Sequence, residues 1–411
     1  MLSNSNNRQV QVHPFQMKGA RGSIRKAALI VAGLLLSACA TTSLRGTGGL
    51  GVVIERSTGS VQVVETTTRT TLTRVKGLGD LSHASLVYSR DARFAYVFGR
   101  DGGLTKLDLL RGTIEKRVLQ AGNAIGGAIS QDGRLIAVSN YEPGGVRVFD
   151  AATLEPLADI PAAWGDNKRS KVVGLVDAPG NRFVFSLYDA GEIWIADLRD
   201  PKRPVLTKFT NVGKQPYDGT VTPDGRYYIA GLFGEDGLAL LDLWRPDQGV
   251  RRVLQGYGRG EQPLPVYKMP HMDFWAMAGD SAYVPAVGRH EVLVIDQRSW
   301  KETGRVAVAG QPIFVVARPD GRQVWVNFAP PHNDTVQVID TLTGKIVQTL
   351  KPGKAVLHME FTARGGNVWI SVRDDNRVDV YDTETYAKIA TLPAHNPSGI
   401  FFTARAHRIG Q

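Results

Sequence analysis

A short alternating segment ending in an acidic residue recurs eight times: VQVVE (61–65), LTKLD (104–108), VRVFD (146–150), IWIAD (193–197), LALLD (238–242), VLVID (292–296), VQVID (336–340) and VDVYD (378–382). Successive acidic residues lie 43, 42, 47, 45, 54, 44 and 42 positions apart. A period in the forties, with room for four short strands per unit, marks a β-propeller blade, a unit that buries its faces only against neighbouring copies. A second turn recurs within the units: SRDAR (89–93), SQDGR (130–134), APGNR (178–182), TPDGR (222–226) and RPDGR (318–322). Asp-Gly and Pro-Asp-Gly supply the backbone of tight turns, here between the first and second strands of a blade. The 45 glycines and 21 prolines fall at such intervals rather than in one tract, as many short strands require.

Eight anchors predict an all-β, eight-bladed β-propeller over residues 51–411, with seven blades as the alternative count. The first unit offers GVVIE (51–55), VQVVE and TTLTRV (70–75), three strands without a preceding first one. The last segment, SGIFFTA (398–404), reads as a first strand with nothing after it to pair. Pairing of these N- and C-terminal strands would close the ring and remove its open edges.

The amino terminus reads differently. Lys18, Arg21, Arg25 and Lys26 precede the apolar run AALIVAGLLL (27–36) and then LSAC (36–39). The run is too short to span a bilayer, and the pattern is that of a secretory signal over residues 1–38. LSAC resembles a bacterial lipobox, which implies a lipidated Cys39, a tether over 39–50 and a periplasmic, membrane-anchored protein. An ordinary signal peptide with an incidental cysteine is the alternative. Met17 opens a more typical start than Met1. Residues 1–38 hold five Lys/Arg and no Asp/Glu, so the formal charge of +10 falls to +5 without them. That gives little support for nucleic-acid binding. Cys39 is the only cysteine, so no internal disulfide, thiolate zinc site or CxxCH c-type haem attachment can form.

In propellers the loop entering each first strand and the loop between second and third strands share one face near the axis. Eight residues before the turn Asp stands His83 in the second unit, and seven before it stand Ile125 in the third, Tyr217 in the fifth and Ile313 in the seventh. Strand alignment puts His271 there in the sixth, and Leu357 in the eighth. Units two and six are opposite in an eight-bladed ring. Two imidazoles facing each other across the axis could bracket a flat, axially ligated tetrapyrrole; two partly buried histidines in a wet channel are the plainer reading. Other loops of that face bring Arg100, Asp101, Asn140, Tyr141, Glu142, Lys168, Arg169 and Lys171. Arginines there suit carboxylates through paired hydrogen bonds, or serve solubility and blade-to-blade ion pairs. His290 and His332 read as solvent-exposed loop residues, and His358, His395 and His407 carry no functional expectation.

The stretch SHASLVYSRDARFAYVFGRDGGLTKLDLL (82–110) resembles the opening of the haem d1 domain of cytochrome cd1 nitrite reductase, and the run from His271 to VLVID resembles its distal-histidine blade. The resemblance spans nearly all of residues 50–404 but is specific only around these two blades. It implies an eight-bladed propeller in which His83 is the counterpart of the proximal iron ligand and Arg100 lies in the shared GRD loop. Tyr141 falls at a ligand-side tyrosine, and His271 matches one of two distal histidines. Ile313 replaces the second distal histidine, and a carboxylate-binding arginine aligns near Gly126. Without a c-type haem and with half the distal pair gone, the resemblance argues against nitrite reduction.

A family member of this kind implies a membrane-tethered protein acting late in haem d1 biosynthesis. It would bind haem d1 or its dihydro precursor, with His83 towards the iron and Arg100 and Arg169 on carboxylates. Asp101, Asn140 and Tyr217 complete the expected pocket, and His271, Tyr141 or Glu142 would move protons or electrons. Cytochrome cd1 nitrite reductase and other haem d1 assembly proteins are the implied partners. A protein-assembly scaffold without ligand chemistry is the competing function, because propellers host many. A quinone-cofactor dehydrogenase finds no supporting calcium-ligand cluster or paired cysteines.

Overall fold

The computed structural model describes residues 46–256 and 276–410, with Gln11 alone outside these stretches. The expected signal segment, Cys39 and His271 lie outside the described residues. Eight four-stranded antiparallel sheets follow one another along the chain, so the count is eight blades. No α-helix occurs among the described residues, only short 3-10 turns.

Each acidic segment of the repeat is the third strand of a blade, from Ser60–Glu65 in blade 1 to Arg377–Asp382 in blade 8. The acid caps the turn that follows. Asp108 Oδ1 accepts the backbone N–H groups of Leu110 and Arg111 at 2.9 and 3.0 Å, and Asp382 Oδ1 those of Glu384 and Thr385 at 3.1 and 2.8 Å. A carboxylate here satisfies amides that the turn would otherwise leave without a partner. The first-to-second-strand turns use the same chemistry. Asp132 takes the Ser130 hydroxyl at 2.6 Å and the Arg134 amide at 3.1 Å, while Gly133 supplies φ +73°.

Blade 1 is built from both ends of the chain. Its sheet runs, outermost strand first, Thr70–Lys76, Ser60–Glu65, Leu50–Glu55 and Pro397–Phe402. Gly51 pairs with Phe402 and Val53 with Ile400 across the seam. The last strand ends at Phe402, where the sequence suggests one running to Ala404; Thr403–His407 turns into a 3-10 segment instead. Residues 47–50, expected as tether, lie against this blade, with Thr403 Oγ1 donating to the carbonyls of Thr47 and Leu50 at 2.7 and 2.9 Å.

The core is a ring of eight apolar layers, each between two adjacent blades. Phe183, Phe185 and Trp194 of blade 4 meet Val146 and Val148 of blade 3. Trp369 of blade 8 meets Val53 and Val64 of blade 1, so the layer at the seam is packed like the others. Burial of alternate side chains on both faces of every sheet is the main stabilising term.

Candidate functional site

The innermost strands leave a cavity of about 230 Å3 on the axis. Every blade except the sixth, whose entering segment falls in residues 257–275, contributes to its wall. Ile125, Tyr217 and Leu357, which share one phase in the repeat, all line it, as does His83, one residue off that phase. In blade 7 the wall residue is Phe314, not Ile313, and in blade 8 His358 joins Leu357.

A bulge in the first strand lets consecutive residues reach the wall, as Ile125 with Gly126, Tyr217 with Asp218 and Leu357 with His358 do. The pairing of first and second strands slips between Pro312 and Val315 in blade 7 and between Val356 and Met359 in blade 8, and likewise in blades 3, 4 and 5. An extra residue in one strand re-aims the side chains beside it. The amides freed by the bulge are caught by the second strand: Asn327 Oδ1 accepts the Phe314 N–H at 2.9 Å and Ser371 Oγ the His358 N–H at 2.7 Å. His358 is 4% exposed, its Nδ1 accepts the Ile400 amide at 3.0 Å, and its ring packs between Phe314 and Phe401.

His83 is half-buried at the end of the loop that enters blade 2. The GRD loop is tied to that loop by the Arg100 amide, which donates to the Asp80 carbonyl at 2.8 Å. Arg100 lies over the Tyr141 ring at 5.6 Å, and the Tyr141 and Tyr217 hydroxyls share a hydrogen bond of 2.9 Å. Tyr217 in turn packs on Tyr188 and Phe233. Burial pushes both the Tyr141 and Tyr217 phenols above the usual tyrosine range, so the pair is neutral and can donate.

Arg56 completes this face. It lines the cavity, donates to the Ser82 carbonyl, and is held below its ordinary value first by burial and then by the like charge of Arg373. Asp80 is the opposing charge, depressed by its hydrogen bonds from Ser82 and by Arg100 and Arg56. Arg56, Arg373 and His358 carry no repeat or motif signal in the sequence.

The remaining expected residues have other attachments. Asp101 pairs with Arg117 at 2.5 Å and accepts the Gly103 amide at 3.0 Å, shaping its loop. Asn140 is fully buried and its amide is exchanged with Gln120 at 2.8 Å. Glu142 is exposed. Arg169 lies on a small hairpin, Ala163–Trp164 against Lys168–Arg169, exposed and 3.5 Å from Asp159. None of these four lines the cavity.

The opposite end of the cavity is lined by Asp177, Arg405 and Gly410. Asp177 is 1% exposed; burial pushes its carboxyl up, against the pull of Arg90 and the Gly410 amide.

Known proteins give this geometry a context. The Cytochrome D1 heme domain family matches residues 45–406. Protein NirF of Pseudomonas aeruginosa is 62% identical over 390 residues, covering 94% of this chain and all of that protein. Protein NirF of Stutzerimonas stutzeri is 61% identical over 389 residues, with 94% of this chain and all of that protein covered. A solved structure described as dihydro-heme d1 dehydrogenase NirN in complex with DHE superposes with a TM-score of 0.78 at 26% identity, covering 89% of this chain and 78% of that one. A chain matched over its whole propeller by one family, and over their whole lengths by two of its members, is placed by sequence as well as by shape: it belongs to the cytochrome D1 heme domain family, among the NirF proteins.

Proposed function

We propose that this chain binds haem d1 or its dihydro precursor in the axial cavity, as a late step of haem d1 biosynthesis. One observation carries the reading: a single cavity has both an imidazole, His83, and a half-buried guanidinium, Arg56, in its wall. A guanidinium in a cavity wall suits an anionic group on the ligand. A flat iron-bearing ring with carboxylate arms would be held by His83 at its iron and by Arg56 and Arg100 at its carboxylates. The complex formed by the 26%-identical structure, described as holding DHE, supports the same ligand class.

The bound ring would bring the iron and conjugated system. The chain's own residues orient it: His83 from the wall, the arginines at the carboxylates, and the neutral Tyr141–Tyr217 pair as proton donor beside the ring. Redox or proton-transfer chemistry at His271 or Tyr141 belongs to this proposal, whereas Glu142, exposed and off the cavity wall, has no part in it. So do lipidation of Cys39, a periplasmic membrane-anchored location, and hand-over to cytochrome cd1 nitrite reductase or other assembly proteins.

The test is an absorbance titration of protein lacking residues 1–39 with haem d1 and with dihydro-haem d1. A shifted spectrum that changes in His83→Ala is expected. In Arg56→Ala the affinity should fall about tenfold or more, the worth of one charge-assisted pair. Unshifted spectra for all three proteins would favour a scaffold without ligand chemistry.

A further inference from the structure

The first-to-second-strand turns of the blades lie at the ends of the inner strands away from His83, and one segment of chain runs over them. After blade 1 closes at Phe402, residues 403–410 cross to the opposite side of the ring. Ala406 is buried in the layer between blades 1 and 2, and its carbonyl accepts Arg90 Nη1 at 2.8 Å. The same arginine donates to the carbonyls of Ile129 and Ser130 in blade 3, each at 2.9 Å, and to Asp177 in blade 4 at 3.1 Å. Arg405 forms a two-pronged ion pair with Glu360 of blade 8 at 2.6 and 2.8 Å. Ile409 packs on the apolar layer between blades 4 and 5, and the Gly410 amide donates to Asp177 Oδ1 at 2.8 Å.

The segment itself reaches blades 1, 2, 4, 5 and 8, with Arg90 of blade 2 linking it to blade 3, and blade 5 stands opposite blade 1 in a ring of eight. Arg405 and Gly410 are themselves part of the cavity wall. We propose that residues 403–410 are a strap that closes this end of the channel, so that ligand enters and leaves by the face that carries His83. The strap also sets how deep a flat ligand can sit, because its atoms, not open solvent, meet the ring's lower surface. No blade-forming strand requires this: the sheet of blade 1 is complete at Phe402. The entropic cost of ordering eight further residues is offset here by the buried Arg405–Glu360 ion pair and by apolar contacts on both sides of the axis.

The ligand side of this inference rests on the proposed haem d1 reading; the closure does not. The test uses the chain carrying Cys39→Ser, which has no other cysteine, with Val87→Cys as reporter. Val87 is 6% exposed, lines the cavity and lies two residues before the turn at Ser89. Maleimide labelling without ligand is compared with that of a chain ending at His407, which keeps the Arg405–Glu360 pair. We expect at least tenfold faster labelling of the shortened chain, with unchanged far-ultraviolet circular dichroism. Saturating haem d1 should then protect the reporter in the full chain and leave it reactive in the shortened one. If shortening disrupts folding, Ile409→Ser with an intact terminus gives the same readout. Equal labelling rates in the folded full and opened chains overturn the strap. Faster labelling in the opened chain with no effect of haem d1 on either keeps the strap and removes the haem reading.

Discussion

Ser371 shows how one hydroxyl sets part of the cavity wall. Its Oγ accepts the His358 amide at 2.7 Å within the blade 8 bulge, and both residues are buried. Ser371→Ala leaves that amide without its acceptor in the interior, and about 1–3 kcal/mol of stability should be lost. Urea unfolding would measure it, and an unchanged midpoint would mean that the bulge relaxes freely. The same bulge limits what the sequence reveals. Tyr217 is legible because counting back seven from the turn Asp gives its phase, and His83 lies one residue off that phase. Phe314 and His358 are not, since a slip of one residue in a strand exchanges the two faces, and no glycine stands at either position to announce it. Arg56 is illegible for another reason: its role comes from Ser82 at the next blade and from Arg373, which only ring closure brings near.

Among elements, the acidic ends of the third strands are the most legible feature and the most informative about stability. For Glu65 burial alone would raise the carboxyl, yet hydrogen bonds from Thr68 and Thr67 bring it down to about 2. Asp108 and Asp242 are lowered against burial by turn amides and by Arg93 or Arg226. Asp340 and Asp382 are lowered chiefly by Thr343 and Thr385. A carboxyl depressed in the fold stabilises it fully above the unfolded value, and the contribution is lost as pH falls through the folded one. Because several blades share the motif, acid should unfold the ring steeply between about pH 4 and pH 2. Circular dichroism against pH would follow it, and Asp340→Asn with Asp382→Asn should flatten the dependence while lowering stability at neutral pH. A pH-independent midpoint across that window would contradict the assignment. Strand ends at these turns were fixed to within a residue or two by the repeat, whereas the hairpin at 163–169 interrupts it and carries no periodic signal.

At the scale of the molecule, the seam in blade 1 decides whether there is a ring at all. A Cβ on Gly51 would fall 2.4 Å from Phe402 Cδ1 and 3.0 Å from the Phe401 carbonyl, so the seam admits only glycine without rearrangement. Gly51→Val should cost about 1–3 kcal/mol by overpacking, seen as a lowered melting temperature; an unaltered one would mean the seam is loosely joined. Eight blades and their closure were readable because a missing first strand and a spare one stood at opposite ends of the sequence. The strap was not, since nothing periodic marks residues 403–410. The seam also has a consequence in time. Leu50 and Thr403, bonded in the finished protein, are 353 residues apart. At about 5–20 residues per second, roughly 20 to 70 s separate the synthesis of the two. Throughout that interval the oldest part of the chain presents an unpaired strand edge, and a message broken anywhere before codon 397 yields a product whose first sheet can never be completed. Translation past Phe402 is thus inspected by the fold itself: only a chain that long can cover the edge its residues 50–55 leave open.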